Sequence, residues 1–380
     1  MSDSHPVTSQ QLLRPARDVE FFADWDPRSQ PNDPLLCAEL CRLAYAPFSV
    51  IESTLSRFGF DSVQSLRPGN HNSPALTGGD GFVAFHPTLD LSVATFRGTE
   101  AGNLEDALTD MLTLPVGWFA GGMVHAGFAT GYSAMRPRLL DLLSGGPRRL
   151  LLTGHSLGGA LANLAAVDFP HAELLTFGAP RVGNSDFVNL LRGVSIHRFV
   201  NCCDIVQRVP PETFGERDLA DLFNALLTVD ATGLTTAEQV GLAAARGAGR
   251  LAARGIATLL NRAGIHADFR HAGDVIYIRH DGSLVTGPDD DAIRLDQIMG
   301  RGLYRGVVQQ AMPALDPQRV LERLAAMTRL SVGGELTGAL AELNGLFRDI
   351  ARSATLAHVV LRDFADHAPS TYIDALRRAY

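Results

Sequence analysis

The chain has 380 residues, 46% of them apolar and 19% charged, with a formal net charge of -8. This composition can bury a sizeable core and excludes general disorder. The negative balance argues against a nucleic-acid partner, because no basic field is present to condense on phosphates; it leaves open a lipid surface, which can be met by apolar area alone.

Residues 1–33 are polar and Pro-rich and are expected to form an arm. The first ten residues are polar, and the first apolar stretch is amphipathic rather than signal-like, so no targeting segment is expected. The chain has no uncharged apolar run of the roughly eighteen residues that a membrane-spanning helix needs. These features predict a cytoplasmic protein, or one exported by a route without a cleaved signal. Residues 35–46 and 49–58 read as helices. Residues 82–85 and 91–96 are short β-type runs separated by Pro87-Thr88-Leu89-Asp90, which predicts a hairpin. A helix is predicted over 135–143, with Pro137 tolerated in its first turn. Strands are predicted at 149–153, 173–177 and 196–201, with helical or turn segments between them. Strand and helix alternating at this spacing argue for a mostly parallel central sheet flanked by helices on both faces.

Two later blocks break the rhythm. Residues 212–266 carry no strand signal; 218–227 and 236–260 read as helices, the first with Leu219, Leu222, Phe223 and Leu226 on one apolar stripe. Residues 288–362 are helical again, at 290–312, 317–330 and 334–360. Between the blocks a hairpin is predicted, from 274–278 through the turn His280-Asp281-Gly282 to 284–285. The expected organisation is an arm (1–33), the first part of an α/β core (34–211), a helical insertion (212–266), a core hairpin (267–287), a second helical insertion (288–362) and a C-terminal core segment (363–380). The two insertions are expected to pack together as a cap. Cys37 and Cys41 lie one helical turn apart, and Cys202 and Cys203 are adjacent. Neither pattern is a disulfide framework or a zinc site, so buried free thiols are expected.

The chemistry is carried by Gly154-His155-Ser156-Leu157-Gly158, directly after the apolar run Leu150-Leu151-Leu152-Thr153 and before the helix-forming 160–166. This is the G-x-S-x-G elbow in its strand-turn-helix context, where the turn lifts the serine hydroxyl clear of the sheet so that a base can reach it. A serine esterase also needs that base and an acid to hold it in one tautomer, in the chain order Ser, Asp or Glu, His. Asp204 stands just past an apolar strand, at the carboxyl end where such sheets place their sites; a loop cap is its bland alternative. Among twelve histidines, His367 is the last and satisfies the order, but composition alone does not choose it over His271.

Phe96-Arg97-Gly98-Thr99, Val124-His125-Ala126-Gly127-Phe128, the elbow with Gly159, Phe177-Gly178-Ala179-Pro180-Arg181-Val182-Gly183-Asn184, and Asp366-His367 followed by Tyr372 together resemble the class 3 lipases, the fungal-type triacylglycerol lipase family. The resemblance covers residues 80–210 almost continuously and resumes at 269–274 and 363–377; both helical blocks depart from the compact fungal pattern. It implies an α/β-hydrolase fold, with Ser156 as nucleophile, Asp204 as acid, His367 as base, and the backbone N–H groups of Thr99 and Leu157 as the oxyanion hole. His271 then takes a structural or rim role. Asp110 resembles the carboxylate that fixes the oxyanion loop, with Asp106 as the alternative because the loop carries two extra residues. Met111, Leu112, Leu114, Val116, Trp118 and Phe119 correspond to the lid, with Trp118 and Phe119 as the candidates for a mobile rim and Leu112 and Leu114 equally readable as core. The implied activity is hydrolysis of lipid esters, triacylglycerol first, without metal or organic cofactor and with transient contact to lipid aggregates or a membrane. A phospholipase A or general carboxylesterase using the same residues is the alternative enzyme. A lipid-binding protein on an inactive hydrolase fold is the non-enzyme alternative.

Overall fold

The computed structural model describes residues 20–22, 33–67, 80–99, 115–145, 149–226, 236–264, 266, 268–303, 317–335, 338–339, 341–342, 345 and 366–379. Most of the arm, the stretch 100–114 and most of 336–365 lie outside them, as do the side chains of Phe223 and Leu226. In chain order the elements are α1 (Asp33–Leu43), α2 (Phe48–Arg57), β1 (Asp61–Ser65), β2 (Gly81–His86), β3 (Leu91–Phe96), β4 (Pro115–Gly117), β5 (Met123–His125), α3 (Ala126–Leu142), β6 (Arg149–His155), α4 (Leu157–Asp168), β7 (Glu173–Phe177), α5 (Ser185–Leu190), β8 (Ser195–Asn201), α6 (Glu216–Leu226), α7 (Thr236–Arg262), β9 (Asp274–Ile278), β10 (Leu284–Thr286), α8 (Asp290–Leu303), α9 (Pro317–Gly333) and α10 (Pro369–Ala379).

Eight strands form one sheet in the order β1-β2-β3-β6-β7-β8-β9-β10. The run from β3 to β9 pairs in parallel, and antiparallel neighbours close both edges. The parallel strands are apolar on both faces rather than alternating: β3 is buried throughout, and β6 from Leu150 onward. Such strands need cover on each side. One face packs under α1 and α10, where Leu36, Leu40, Ile373 and Leu376 meet Leu151, Leu175 and Phe199. The other packs under α3 and α4, where Phe128, Met135, Leu139, Leu161 and Leu164 meet Ala94, Leu152 and Leu174. This is the α/β-hydrolase arrangement, with the serine turn between β6 and α4.

Two predictions need correction. The helix expected over 135–143 begins at Ala126, and Pro137 lies in its interior rather than its first turn. Gly127 and Gly131 read against helix by propensity, but Phe128, Tyr132, Met135 and Leu139 recur at helical spacing and are all buried. That burial overrides the weak local preference. Trp118, expected on a mobile rim, is 7% exposed and lies in the main core, its ring centroid 6.0 Å from that of Tyr132. Its neighbour in the small β4–β5 sheet fixes it there: Trp118 N–H donates to Gly122 O at 3.0 Å.

Helix α7 packs on α9, with α6 alongside. Ala252, Ala253, Ile256 and Leu260 of α7 share a buried cluster with Leu324 and Met327 of α9, and Leu219 and Leu222 of α6 join it. A Cβ at Gly255 would come within 2.6 Å of Ser331 Cβ, so the missing side chain sets how closely α7 and α9 approach. Helix α8 is clamped to the sheet edge: Asp296 accepts from Tyr277 OH and from the His280 backbone N–H, each at 3.0 Å, and bonds His280 Nδ1 at 2.5 Å. Among the described residues no helix is long and apolar enough to cross a membrane.

Candidate active site

The elbow is built by steric necessity. Ser156 has φ 58 and ψ -130, a backbone region that costs a non-glycine residue roughly 1–3 kcal/mol and persists only when its surroundings impose it. The surroundings do so here. A Cβ on Gly154 would sit 2.2 Å from Gly158 C, and one on Gly158 would sit 2.0 Å from Phe96 O. The Ser156 backbone N–H donates to Phe177 O at 3.0 Å, tying the turn to β7.

Asp204 closes a turn after β8, its N–H donating to Asn201 O at 3.1 Å. The carboxylate is fully buried and answered by three donors. The Val206 backbone N–H reaches Oδ1 at 2.8 Å, Tyr372 OH reaches Oδ2 at 2.6 Å, and His367 Nδ1 lies 2.9 and 3.0 Å from the two oxygens. With Nδ1–H directed at the carboxylate, His367 Nε2 keeps its lone pair, the tautomer a general base needs. Gly178, at φ +57, leaves the room for this cluster: a Cβ there would meet Asp204 Oδ2 at 2.4 Å and His367 Nδ1 at 3.0 Å.

His367 is tied to the elbow by a second imidazole. His155 Nε2 is 2.6 Å from His367 O, so this nitrogen donates, and His155 Nδ1 accepts from Tyr45 OH at 2.9 Å. Burial, reinforced by His367 alongside, holds the pKa of His155 well below the usual imidazole value, which keeps the ring neutral and this tautomer fixed. The His155 and His367 rings lie 4.5 Å apart between centroids. Hydrogen bonds between such a serine and its base commonly tighten only when substrate is bound. The His367 segment is held from the other side by Asn201 Nδ2, which donates to Asp366 O at 3.1 Å, and by the Cys203 N–H, which donates to Asp366 Oδ2 at 3.0 Å.

The strand end expected to supply the oxyanion hole lies against the elbow. A Cβ on Gly98 would be 3.3 Å from Ser156 Cβ and 2.2 Å from Tyr45 OH. Thr99 and Leu157, on either side of this contact, are half-buried. Asp110, its alternative Asp106, Met111, Leu112 and Leu114 lie outside the described residues. Of the expected rim, Val116 (39%) and Phe119 (61%) are exposed. His271 is not part of the cluster: its Nε2–H donates to Gln207 O at 2.9 Å, and burial, then Arg198 and Arg181, lower its pKa well below the ordinary range. All four cysteines are buried and free. Cys202, Cys203 and Asp366 hold their ligand atoms within 4.8 Å of one another and form a set that could hold a metal.

Two residues of the cluster carry no role in the sequence reading. Tyr372 stands in the C-terminal stretch that carries the resemblance, five positions after His367, and that spacing was its only signal. Tyr45 follows α1 and nothing local marks it; only the fold brings its hydroxyl to His155.

Residues 93–214 match the family model for class 3 lipases. Over that stretch the chain is similar to the class 3 lipases. Among curated relatives, a lipase of Rhizopus niveus is 34% identical over 161 residues, which cover 37% of this chain and 40% of that protein. A lipase of Rhizomucor miehei is 36% identical over 138 residues, covering 32% of this chain and 38% of that protein. A chloroplastic phospholipase A(1) of Arabidopsis thaliana is 34% identical over 156 residues, covering 33% and 35%. The matched stretch thus spans less than half the length of these relatives. Among solved structures, lipase II of Rhizopus niveus aligns with a TM-score of 0.40 at 26% identity, covering 47% of this chain and 74% of that one.

Proposed function

We propose that the chain is a serine carboxylic-ester hydrolase acting on lipid esters, with Ser156 as nucleophile, His367 as general base and Asp204 as the acid that orients it. The observation that carries the reading is the buried His367–Asp204 pair, 2.9 Å apart, beside a serine held in a strained turn. His367 Nε2 takes the Ser156 proton as Oγ attacks the ester carbonyl. The oxyanion that forms lies between the N–H groups of Thr99 and Leu157; losing one such donor typically costs about 3 kcal/mol of barrier. His367 then protonates the leaving alcohol, and water hydrolyses the acyl-serine by the same steps reversed. In this reading Val116 and Phe119 belong to a lid edge that meets lipid aggregates, and the helical insertions form a cap that bounds the acyl site.

Triacylglycerol is the leading substrate, in keeping with the lipase relatives; the phospholipase A(1) relative at 34% identity favours a phospholipid as the second reading. Ser156→Ala tests the chemistry. Release of fatty acid from any lipid ester should fall to background while the circular dichroism and melting profile stay as in the parent, and an active variant would refute the nucleophile. Fatty-acid release from triolein against phosphatidylcholine, both dispersed in the same detergent, separates the two substrate readings.

A further inference from the structure

Cys202 and Cys203 follow β8 directly, in the turn that Asp204 closes. Both thiols are fully buried, and their sulfurs lie 3.2 Å apart. Asp366, 163 positions on from Cys203 and also buried, reaches the same place: the Cys203 N–H donates to its Oδ2 at 3.0 Å. The two sulfurs and an Asp366 carboxylate oxygen all lie within 4.8 Å of one another, the one such set among the described residues. Val200, Tyr277, Val275 and Ile293 pack around the sulfurs. A Cβ on Gly300 of α8 would stand 2.8 Å from Cys202 Sγ and 3.4 Å from Cys203 Sγ, so the glycine keeps that side of the pair clear. Two adjacent cysteines match no zinc spacing in the sequence; the fold supplies the third ligand from a remote segment.

The donor chemistry is selective. Magnesium and calcium take oxygen ligands throughout. Two sulfurs with one carboxylate suit a borderline-soft cation of the zinc class. The separations fit as well. Zinc bonds thiolate sulfur at about 2.3 Å and carboxylate oxygen at about 2.0–2.2 Å, so the ligand atoms of one ion stand up to about 4.5 Å apart. The set is close to that span as it stands, and the sulfurs need only swing apart toward the tetrahedral separation of about 3.8 Å. The backbone carbonyls of Asp296 and Gln297, each 3.8 Å from one of the two sulfurs, can supply a fourth ligand. The ion takes the place of the two thiol protons, which pass to the buffer on binding.

We propose that Cys202, Cys203 and Asp366 form a binding site for one thiophilic divalent cation of the zinc class. Cys203 precedes Asp204, and Asp366 precedes His367. The ion therefore clamps together the two segments that carry the buried Asp204–His367 pair, from outside that pair. Its role is structural, and the proposal is independent of the reaction assigned above.

The test is titration of the reduced, metal-stripped full chain with cadmium, whose bonds to thiolate report themselves by an ultraviolet charge-transfer band. The band should rise to a break at one cadmium per chain, and zinc should displace it. In Cys202→Ala/Cys203→Ala the band should vanish, while Cys37→Ala/Cys41→Ala keeps it. Asp366→Asn retains both sulfurs and should weaken cadmium binding at least about tenfold. No band in the parent overturns the proposal, as does a band that survives the loss of Cys202 and Cys203, or an unchanged affinity in Asp366→Asn. Should the variants fail to fold, crystals of the parent grown with cadmium decide: an anomalous peak bonded to both sulfurs and Asp366 supports the site, and its absence at saturating cadmium overturns it.

Discussion

Asp204 is met by a backbone N–H two residues on, a phenol from α10 and the His367 imidazole, and together they leave the carboxylate few other options. Tyr372 is the donor a single-atom change can test: its hydroxyl donates to Asp204 at 2.6 Å and accepts from the Asn201 N–H at 3.2 Å. A hydrogen bond to a charged group contributes about 1.5–3 kcal/mol. Tyr372→Phe should therefore lower kcat about ten- to a hundredfold on a soluble short-chain ester and leave KM in place. An unchanged kcat would show that the phenol merely packs. At this scale the sequence was uneven in what it exposed. The serine turn is legible because its glycines are required by contacts within five residues and across to Phe96, so the pattern is local. Tyr45 and Tyr372 are not legible as site residues, since their partners are 110 and 168 positions away and nothing in the flanking residues marks them.

Strands with a clear local signal were read correctly: β3, β6 and β7 through near-continuous apolar runs, β8 and the β9–β10 hairpin through β-type residues beside turn residues, all within a residue or two of the expected bounds. Elements stabilised mostly by their neighbours were missed. β4 and β5 are three residues each and half-exposed, too short for a period-two signal. The first half of α3 was masked by its glycines. For the insertions, the pairing of α7 with α9 rests on a missing side chain at Gly255. Gly255→Val should overpack that contact, at a cost of about 1–3 kcal/mol. Limited proteolysis should then cut within α9 sooner than in the parent, whereas Gly247→Ala, where a Cβ meets nothing within 4 Å, should not accelerate cleavage. Equal rates in the parent and Gly255→Val would mean that α9 is held elsewhere.

At the scale of the molecule, the buried imidazoles of His155 and His271 are held in the neutral form. His155 and His271 both have folded pKa values well below the ordinary value of about 6.5, chiefly through burial. Below that value the unfolded chain takes up protons that the folded chain does not. Their contribution to stability is thus complete above about pH 6.5 and is lost as the pH falls toward the folded pKa, at up to about 1.4 kcal/mol per pH unit for each group. In His271→Gln, whose amide can still donate to Gln207 O, the drop in urea midpoint between pH 7.5 and 5.5 should be smaller than in the parent. An equal drop would remove His271 from the account.

The sequence by itself determined the parallel core, the strand-turn-helix around Ser156 and the hairpin between the helical blocks. These depend on neighbours along the chain: hydrophobic period, turn residues and the space that a glycine leaves. The tertiary structure alone decided which imidazole reaches Asp204, that a second histidine and two tyrosines brace it, and that Trp118 is core. Each of these is a contact between segments remote in the chain, 163 positions apart for His367 and Asp204. Such contacts follow from how the layers close on the sheet, which no local pattern encodes.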